Sequence, residues 1–369
     1  MPFFDFAGNP ETIHRLREML ARKRFPHAVI LSGAHGSGKY TLALMLARAM
    51  NCLEQPSTDG GFPDFCGRCS NCIRIAQSED LDARFAEAVE ARENLRDTDK
   101  KETRLFVQTH PDVLIIPPDP PQMMIKVDQV RHVIETIYYR PAEARERVYI
   151  FTSSAFMKEA ANSLLKVLEE PPEFATIFLL TENAGELLPT IRSRSMTFNL
   201  GALAVTEIES RLAQLRPQWN ARQRALVARL SEGAIGRALS FDIESYVAAR
   251  NHALILLKSA LGGNEGGHTE LFKVTESYRS GAEGREKIGN LLRTLYALLE
   301  DLMFLQSGAE QLVRNTDILG ELKKMSEAAD FAWLQRAADG LGEVERGLRR
   351  NLLRSLSLDA FATALERVS

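Results

Sequence analysis

The sequence is short of three things, and each shortage removes a class of protein. No apolar run reaches the ~18 residues needed to cross a bilayer, and Met1-Pro2-Phe3-Phe4-Asp5 lacks a basic stretch followed by an apolar one. A cytoplasmic chain is expected. Neither charge sign dominates: 46 Lys and Arg stand against 49 Asp and Glu, a formal net charge of −3. This balance gives no general attraction to nucleic acid, so contact with DNA must come from a local patch or from partners. Cysteine is absent outside Cys52–Cys72, where all four lie. In a reducing compartment that clustering points to metal rather than disulfides. Length is not short: 369 residues, 45% of them hydrophobic, suffice for two or three domains with cores of their own.

The most organised stretch reads Ala-Val-Ile-Leu-Ser-Gly-Ala-His-Gly-Ser-Gly-Lys-Tyr-Thr over Ala28–Thr41, followed by the apolar run Leu42–Met50. It has the pattern of a buried strand, a glycine loop and a helix. Gly33, Gly36 and Gly38 free the backbone, so that successive N–H groups converge on a phosphate at the helix N-terminus, with Lys39 as the cation of a G-x-x-x-x-G-K loop. The plainer alternative is a glycine turn that only closes a strand onto a helix. The next position, normally a Ser or Thr that holds Mg²⁺, is Tyr40. Thr41 is one step on, and at ~100° per residue it points elsewhere on the helix. Gly33, Gly36, Gly38, Lys39, Tyr40 and Thr41 form the candidate nucleotide site.

Cys52 and the run Cys66-Gly-Arg-Cys69-Ser-Asn-Cys72 supply four thiolates for one tetrahedral ion, with Gly60, Gly61 and Gly67 easing the turns. Structural Zn²⁺ fits this spacing. An iron–sulfur cluster needs a further cysteine followed by proline, which Ile73-Arg74-Ile75 does not offer. Buried free thiols are the remaining alternative. Four protein ligands leave no open position, so the ion would hold a fold and not catalyse.

Strands and helices alternate from residue 28 to 180, the pattern of a parallel sheet covered on both faces. A helix over Ile13–Arg22 comes first, and the charged stretch Ser78–Arg104 reads as a solvated helix or hairpin. His110-Pro111-Asp112 precedes a strand over Val113–Ile116 and an exposed loop over Pro117–Pro121. Asp128 is the expected N-cap of a helix burying Val130, Val133, Ile134 and Ile137. A strand over Val148–Phe151, a helix ended by Pro171-Pro172 and a strand over Thr176–Leu180 follow. Beyond Thr206 only helices are expected, with a turn at Gly233 and Gly236 and a flexible break over Gly262–Gly267. The strand over Val148–Phe151 is expected beside the phosphate loop. It ends in Thr152-Ser153, where P-loop ATPases carry acids for Mg²⁺ and the attacking water. With Tyr40, that makes two separate losses, and both argue against hydrolysis.

Together these segments resemble the subunits of bacterial DNA polymerase III clamp loaders of the AAA+ class, and over nearly the whole chain the delta-prime branch. The resemblance rests on Ala7-Gly8-Asn9, Pro26-His27-Ala28, the glycine loop, the four-cysteine module, His110-Pro111-Asp112, Ile125–Arg131, Ala161–Pro172, Ser193-Arg194 and Gly233–Leu239. It implies an α/β then all-α chain: a RecA-like AAA+ parallel sheet domain over 1–200 with the zinc module at 52–72 and the charged insertion at 78–104, a helical lid over 201–243, and a helical C-terminal collar over 244–369 for ring assembly.

Motor subunits of such rings keep the hydroxyl and acids missing here. The resemblance therefore implies a non-hydrolysing stator, able to bind ATP or ADP but without an ATPase activity of its own. Arg194 would be an arginine finger acting in trans on a neighbour's ATP, although the family triplet usually ends in Cys where Ser195 stands. Without the resemblance the triplet reads as a surface salt bridge. Arg237 matches the second nucleotide sensor, against a plain solvent-facing arginine, and Thr181 matches the first. Implied partners are the gamma/tau motor subunits and the delta subunit in a hetero-pentameric ring, with the sliding clamp and primed DNA reached through the complex. Arg346, Arg349, Arg350 and Arg354 cluster at helical spacing, as a solvated or subunit-facing surface rather than a DNA contact. Two rivals stand: an active motor ATPase of the same ring, with Thr41 and Glu182 replacing the missing groups, and a zinc-dependent nucleic-acid-binding module.

Overall fold

Apolar strands that must hide both faces dictate the first half of the architecture. The structure, a computed structural model, describes residues 2–58, 61–96, 99–100, 103–262, 268–279, 283–350 and 352–366. By internal contact it divides into two compact units, Met1–Ile208 with Glu232–Arg237, and Glu209–Ser231 with Ala238–Ser369. Among the described residues no helix is long and apolar enough to cross a membrane.

The strands of the first unit are β1 (Ala28–Gly33), β2 (Ser57–Thr58), β3 (Phe62–Pro63), β4 (Val107–His110), β5 (Val113–Ile116), β6 (Arg147–Phe151), β7 (Ala175–Thr181) and β8 (Met196–Leu200). β2 and β3 make a small antiparallel ribbon, and the rest form one six-stranded sheet in the order β4-β5-β6-β7-β1-β8. Its helices are α1 (Pro10–Ala21), α2 (Lys39–Asn51), α3 (Ser70–Ala76), α4 (Leu81–Glu93), α5 (Val127–Ile137), α6 (Lys158–Glu169) and the short α7 (Pro189–Arg192). Side chains alternate across β1: Val29 and Leu31 pack with α2 and the cysteine segment, Ala28 and Ile30 with α5 and α6. The sheet is thus covered on both faces, as its continuous apolar strands require.

Four local features differ from the sequence reading. The edge strand β4 runs antiparallel to β5; its half-exposed, polar Val-Gln-Thr-His pattern hides it from a search for apolar runs. β6 does not lie beside β1, because β7 intervenes and pairs with both. The Pro117–Pro121 segment is not an exposed loop: Pro117 and Asp119 are buried, and Asp119 binds Arg92 of α4 at 2.7 Å and Lys126 at 3.1 Å. The N-cap of α5 is Lys126, not Asp128. The Gln129 side chain accepts the Lys126 N–H at 2.9 Å, while Asp128 turns outward to Arg104 at 2.6 Å. Helix α4, inside the charged stretch, has no fully buried residue.

From residue 205 the described chain is helical: α8 (Val205–Leu215), α9 (Ala221–Leu230), α10 (Ile235–Leu239), α11 (Ile243–Ala260), α12 (His268–Glu276), α13 (Glu283–Gln306), α14 (Leu319–Ala328), α15 (Phe331–Arg349) and α16 (Arg354–Leu365). Gly233 makes a turn at φ +81°, whereas Gly236 lies inside α10 rather than in the turn. The expected flexible break falls largely on 263–267, outside the described residues, as does Gly60. Leu257, Leu295, Leu298 and Trp333 anchor a helical core in the second unit. Buried Arg250 forks onto Asp317 at 2.6 and 2.7 Å and onto Asn315 at 3.0 Å, so no charge there is left unpaired.

The loop before β6 hangs on Asp112, 3% exposed. Its carboxylate accepts the N–H groups of Ala142, Glu143 and Ala144 at 2.8–2.9 Å. Burial alone would raise its pKa, but these donors and Arg147 outweigh burial and hold it below the ordinary 3.8. Replacing Asp112 by Asn turns an amide N–H toward donors and should cost about 1–3 kcal/mol, read as a lower Tm at pH 7. Since the folded pKa is depressed, that advantage is full above the unfolded value of 3.8 and disappears as the pH falls through the folded pKa. A difference between wild type and D112N that does not shrink in acid would refute the assignment.

Candidate functional site

The loop between β1 and α2, the candidate phosphate cradle, is closed on itself. Gly36 and Gly38 take φ of +77° and +91°, conformations that L side chains rarely adopt. Ser37 Oγ is buried without a partner, a group a bound anion would satisfy. Lys39 Nζ, which in such loops reaches phosphate, donates instead to Gly33 O at 2.6 Å and Ala34 O at 2.8 Å. Burial lowers its pKa and the charge of Glu182 partly offsets this. The start of α10 lies directly on the loop: Gly236 N–H donates to Gly36 O at 2.8 Å. A Cβ on Gly36 would come 2.6 Å from Arg237 N. For Lys39 to reach a phosphate here it would have to release its two carbonyls.

Tyr40 does not face the cradle. Its hydroxyl donates to Ser78 O at 2.5 Å, and burial pushes its pKa well up. Thr41 sits on the same flank of α2, lining a cavity of about 240 Å³ with Tyr40, Leu44 and Arg48. What Tyr40 and Thr41 can give an anion is therefore their backbone N–H. At the end of β6, Thr152 and Ser153 bring no charge. Nearby carboxylates come from after β7: Glu182 stands 3.9 Å from His35, and Glu186 accepts from Ser154 Oγ at 2.5 Å and Thr181 Oγ1 at 3.3 Å. Thr181 also donates to Asn183 O at 2.8 Å.

Arg194 lies elsewhere. Because β8 runs parallel to β1, with Met196 beside Val29 and Leu200 beside Gly33, residue 194 precedes the end of β8 farthest from the loop, roughly 13 Å along the strand. Arg194 pairs with Glu169 at 2.7 Å and donates to Thr190 O at 3.1 Å. Arg237 is brought to the loop by its backbone, while its guanidinium binds Glu232 at 2.6 Å. The structure thus gathers Gly33, Gly36, Gly38, Lys39 and Arg237, and leaves Arg194 apart.

The four cysteines converge: their Sγ atoms all lie within 4.8 Å of one another, near the ~3.8 Å separation of a tetrahedral four-thiolate ion. Cys52 Sγ accepts N–H groups from Gln55 and Cys66 at 3.2 Å, and Cys66 Sγ accepts from Cys69 at 3.3 Å. Without an ion, burial raises the Cys52 and Cys72 thiols. Burial also works against Cys69, but N–H donors from Cys72 and Leu53 prevail and bring it to about 7. All four are free thiols, and the cluster could bind a metal ion. Sequence reasoning missed Glu169 and Glu186. Glu169 sits within the Leu-Glu-Glu-Pro-Pro signature without a role assigned to it, and Glu186 carries no local signal.

A family model described as "DNA polymerase III, delta subunit" matches residues 8–204. The chain is 29% identical over 243 residues to the DNA polymerase III subunit tau/gamma of Haemophilus influenzae, covering 64% of this chain and 30% of that protein. It is 30% identical over 206 residues to the DNA polymerase III subunit delta' of Bacillus subtilis, covering 56% of this chain and 51% of that one. The match thus spans about a third to a half of these relatives. A solved structure from Thermotoga maritima, described as a gamma subunit-related protein, aligns at TM-score 0.37 and 18% identity, covering 95% of this chain and 98% of that one.

Contact between α10 and the loop requires two glycines. In Gly236→Ala the new Cβ would stand 2.7 Å from Gly36 O, which should force the helix off the loop and destabilise by about 1–3 kcal/mol. Gly289→Ala, a helical site with nothing within 4 Å, should stabilise by about 0.5–1 kcal/mol. Thermal unfolding reads both, and a Gly236→Ala variant as stable as wild type would contradict the closed loop.

Proposed function

The chain belongs to the family described as DNA polymerase III, delta subunit, a family of AAA+ clamp-loader subunits, and from that membership we propose that it is a non-hydrolysing, delta-prime-like stator. The observation that carries this reading is the end of β6, where Thr152 and Ser153 stand in place of acids while Tyr40 is turned away from the cradle. Without a carboxylate to hold Mg²⁺ and polarise water, a bound triphosphate is not attacked.

The proposed chain has three parts: a RecA-like domain over 1–200, a helical lid over 201–243 and a collar over 244–369. The collar joins it to gamma/tau motor subunits and a delta subunit in a hetero-pentameric ring that acts on a sliding clamp and primed DNA. Gly33, Gly36, Gly38, Lys39, Tyr40, Thr41 and Arg237 hold ATP or ADP when the cradle opens. Arg194 serves a neighbour. Its position at the far end of β8 puts it out of reach of its own loop, and a guanidinium presented across a boundary neutralises charge growing on the partner's γ-phosphate. Cys52, Cys66, Cys69 and Cys72 hold a structural Zn²⁺, which as a closed four-thiolate site supplies folding energy and no chemistry.

The motor reading keeps one observation in its favour, Glu182 at the mouth of the loop. Steady-state turnover separates the two. The purified chain should release no phosphate from ATP above background, with Lys39→Ala indistinguishable from wild type. Turnover abolished by Lys39→Ala and by Glu182→Gln would make it a motor. In a reconstituted ring, Arg194→Ala should lower DNA-stimulated turnover by about tenfold or more.

Metal analysis tests the cluster: one equivalent of zinc per chain, retained through dialysis and lost with Cys72→Ser, is the expected result. A content well below one equivalent would count against it.

A further inference from the structure

Arg194 is held in place in the free chain, and the group that holds it is itself oddly sited. Glu169 is the last residue of α6, where the helix dipole disfavours a carboxylate. Helix stability alone would favour a cation there. The carboxylate instead reaches Arg194 Nη2 at 2.7 Å. Its backbone cannot wander: Ala160, Ala161, Leu164, Val167 and Leu168 bury one face of α6, and Pro171-Pro172 follow its end.

We propose that Glu169 is the positioning residue of Arg194, an assignment that rests on the finger role given above. Glu169 takes Nη2, while Nη1 donates to the carbonyl of Thr190, on α7, at 3.1 Å and to Ser193 Oγ at 3.4 Å. Among the described residues nothing engages Nε–H, so that edge of the guanidinium and the second Nη2 hydrogen stay available for a phosphate oxygen. The pair is open to water, with side chains 35% and 52% exposed. Glu169 therefore orients the guanidinium without burying it, and a group already oriented needs no reorganisation when charge develops.

The test uses the full ring with wild type, E169Q, R194A and the double variant, reading kcat and KM for ATP under DNA stimulation. E169Q keeps the side-chain shape and should melt with wild type. It should lower kcat about threefold or more with KM nearly unchanged, and the double variant should match R194A alone, since both changes remove one function. E169Q at the wild-type rate, or a further loss on adding E169Q to R194A, overturns the positioning role and leaves the finger standing. R194A at the wild-type rate overturns the finger itself and Glu169 with it.

Discussion

Strand β1 is hydrogen bonded along both edges, to β7 over Ala28–Ser32 and to β8 over Val29–Gly33, and it feeds a separate apolar core on each face. The rest of the first unit is arranged around this doubly buried position. The glycine loop leaves from the end of β1 at the same edge as the end of β7, so Lys39 meets the field of Glu182. The parallel direction of β8 sends Arg194 to the opposite edge. A parallel sheet carries its loop chemistry at one end, and Arg194, at the other end, lies away from its own loop.

The charges of the site are all satisfied within the chain. Lys39 is bound to two carbonyls, Arg237 to Glu232 and Arg194 to Glu169. None of these bonds is deeply buried on both sides, so each can be exchanged for a stronger anionic partner without stranding a charge in the core. The cysteine cluster differs in kind. Its sulfurs are crowded beside a buried core, where burial opposes the thiolates of Cys52 and Cys72, and a cation is what would relieve that crowding.

Long apolar strands were readable because a strand buried on both faces must be apolar at nearly every position, as β5 is throughout and β1 and β7 are apart from Ser32, Thr176 and Thr181. Short or polar elements were not. β4 is an edge strand whose pattern is set by a single neighbour, and Asp128 looked like a cap because it is the right residue type beside a helix start. The Lys126–Gln129 pairing took that place through contacts from Gln129 to Leu105 O and Pro117 O, partners distant in sequence. Prolines at Pro117–Pro121 suggested an exposed loop, whereas buried Asp119 draws Arg92 of the charged stretch onto it. At the site, the glycines, Lys39 and the four cysteines announced themselves by spacing. Glu169, Glu186 and the contact of Gly236 with Gly36 join segments far apart in the chain, and spacing carries no trace of them.

By itself the sequence determined the alternating α/β pattern, the helical remainder, the glycine loop, the convergence of four cysteines within one short stretch and the missing acids after β6. Each of these is a property of residue type and local spacing. Only the tertiary structure decided that β7 separates β1 from β6, that the loop is closed by α10, that Tyr40 turns to Ser78 and that Arg194 rests on Glu169 at the far edge of the sheet. Those outcomes depend on strand order and on which helix ends meet, and they are set by long-range packing rather than by any local run of residues.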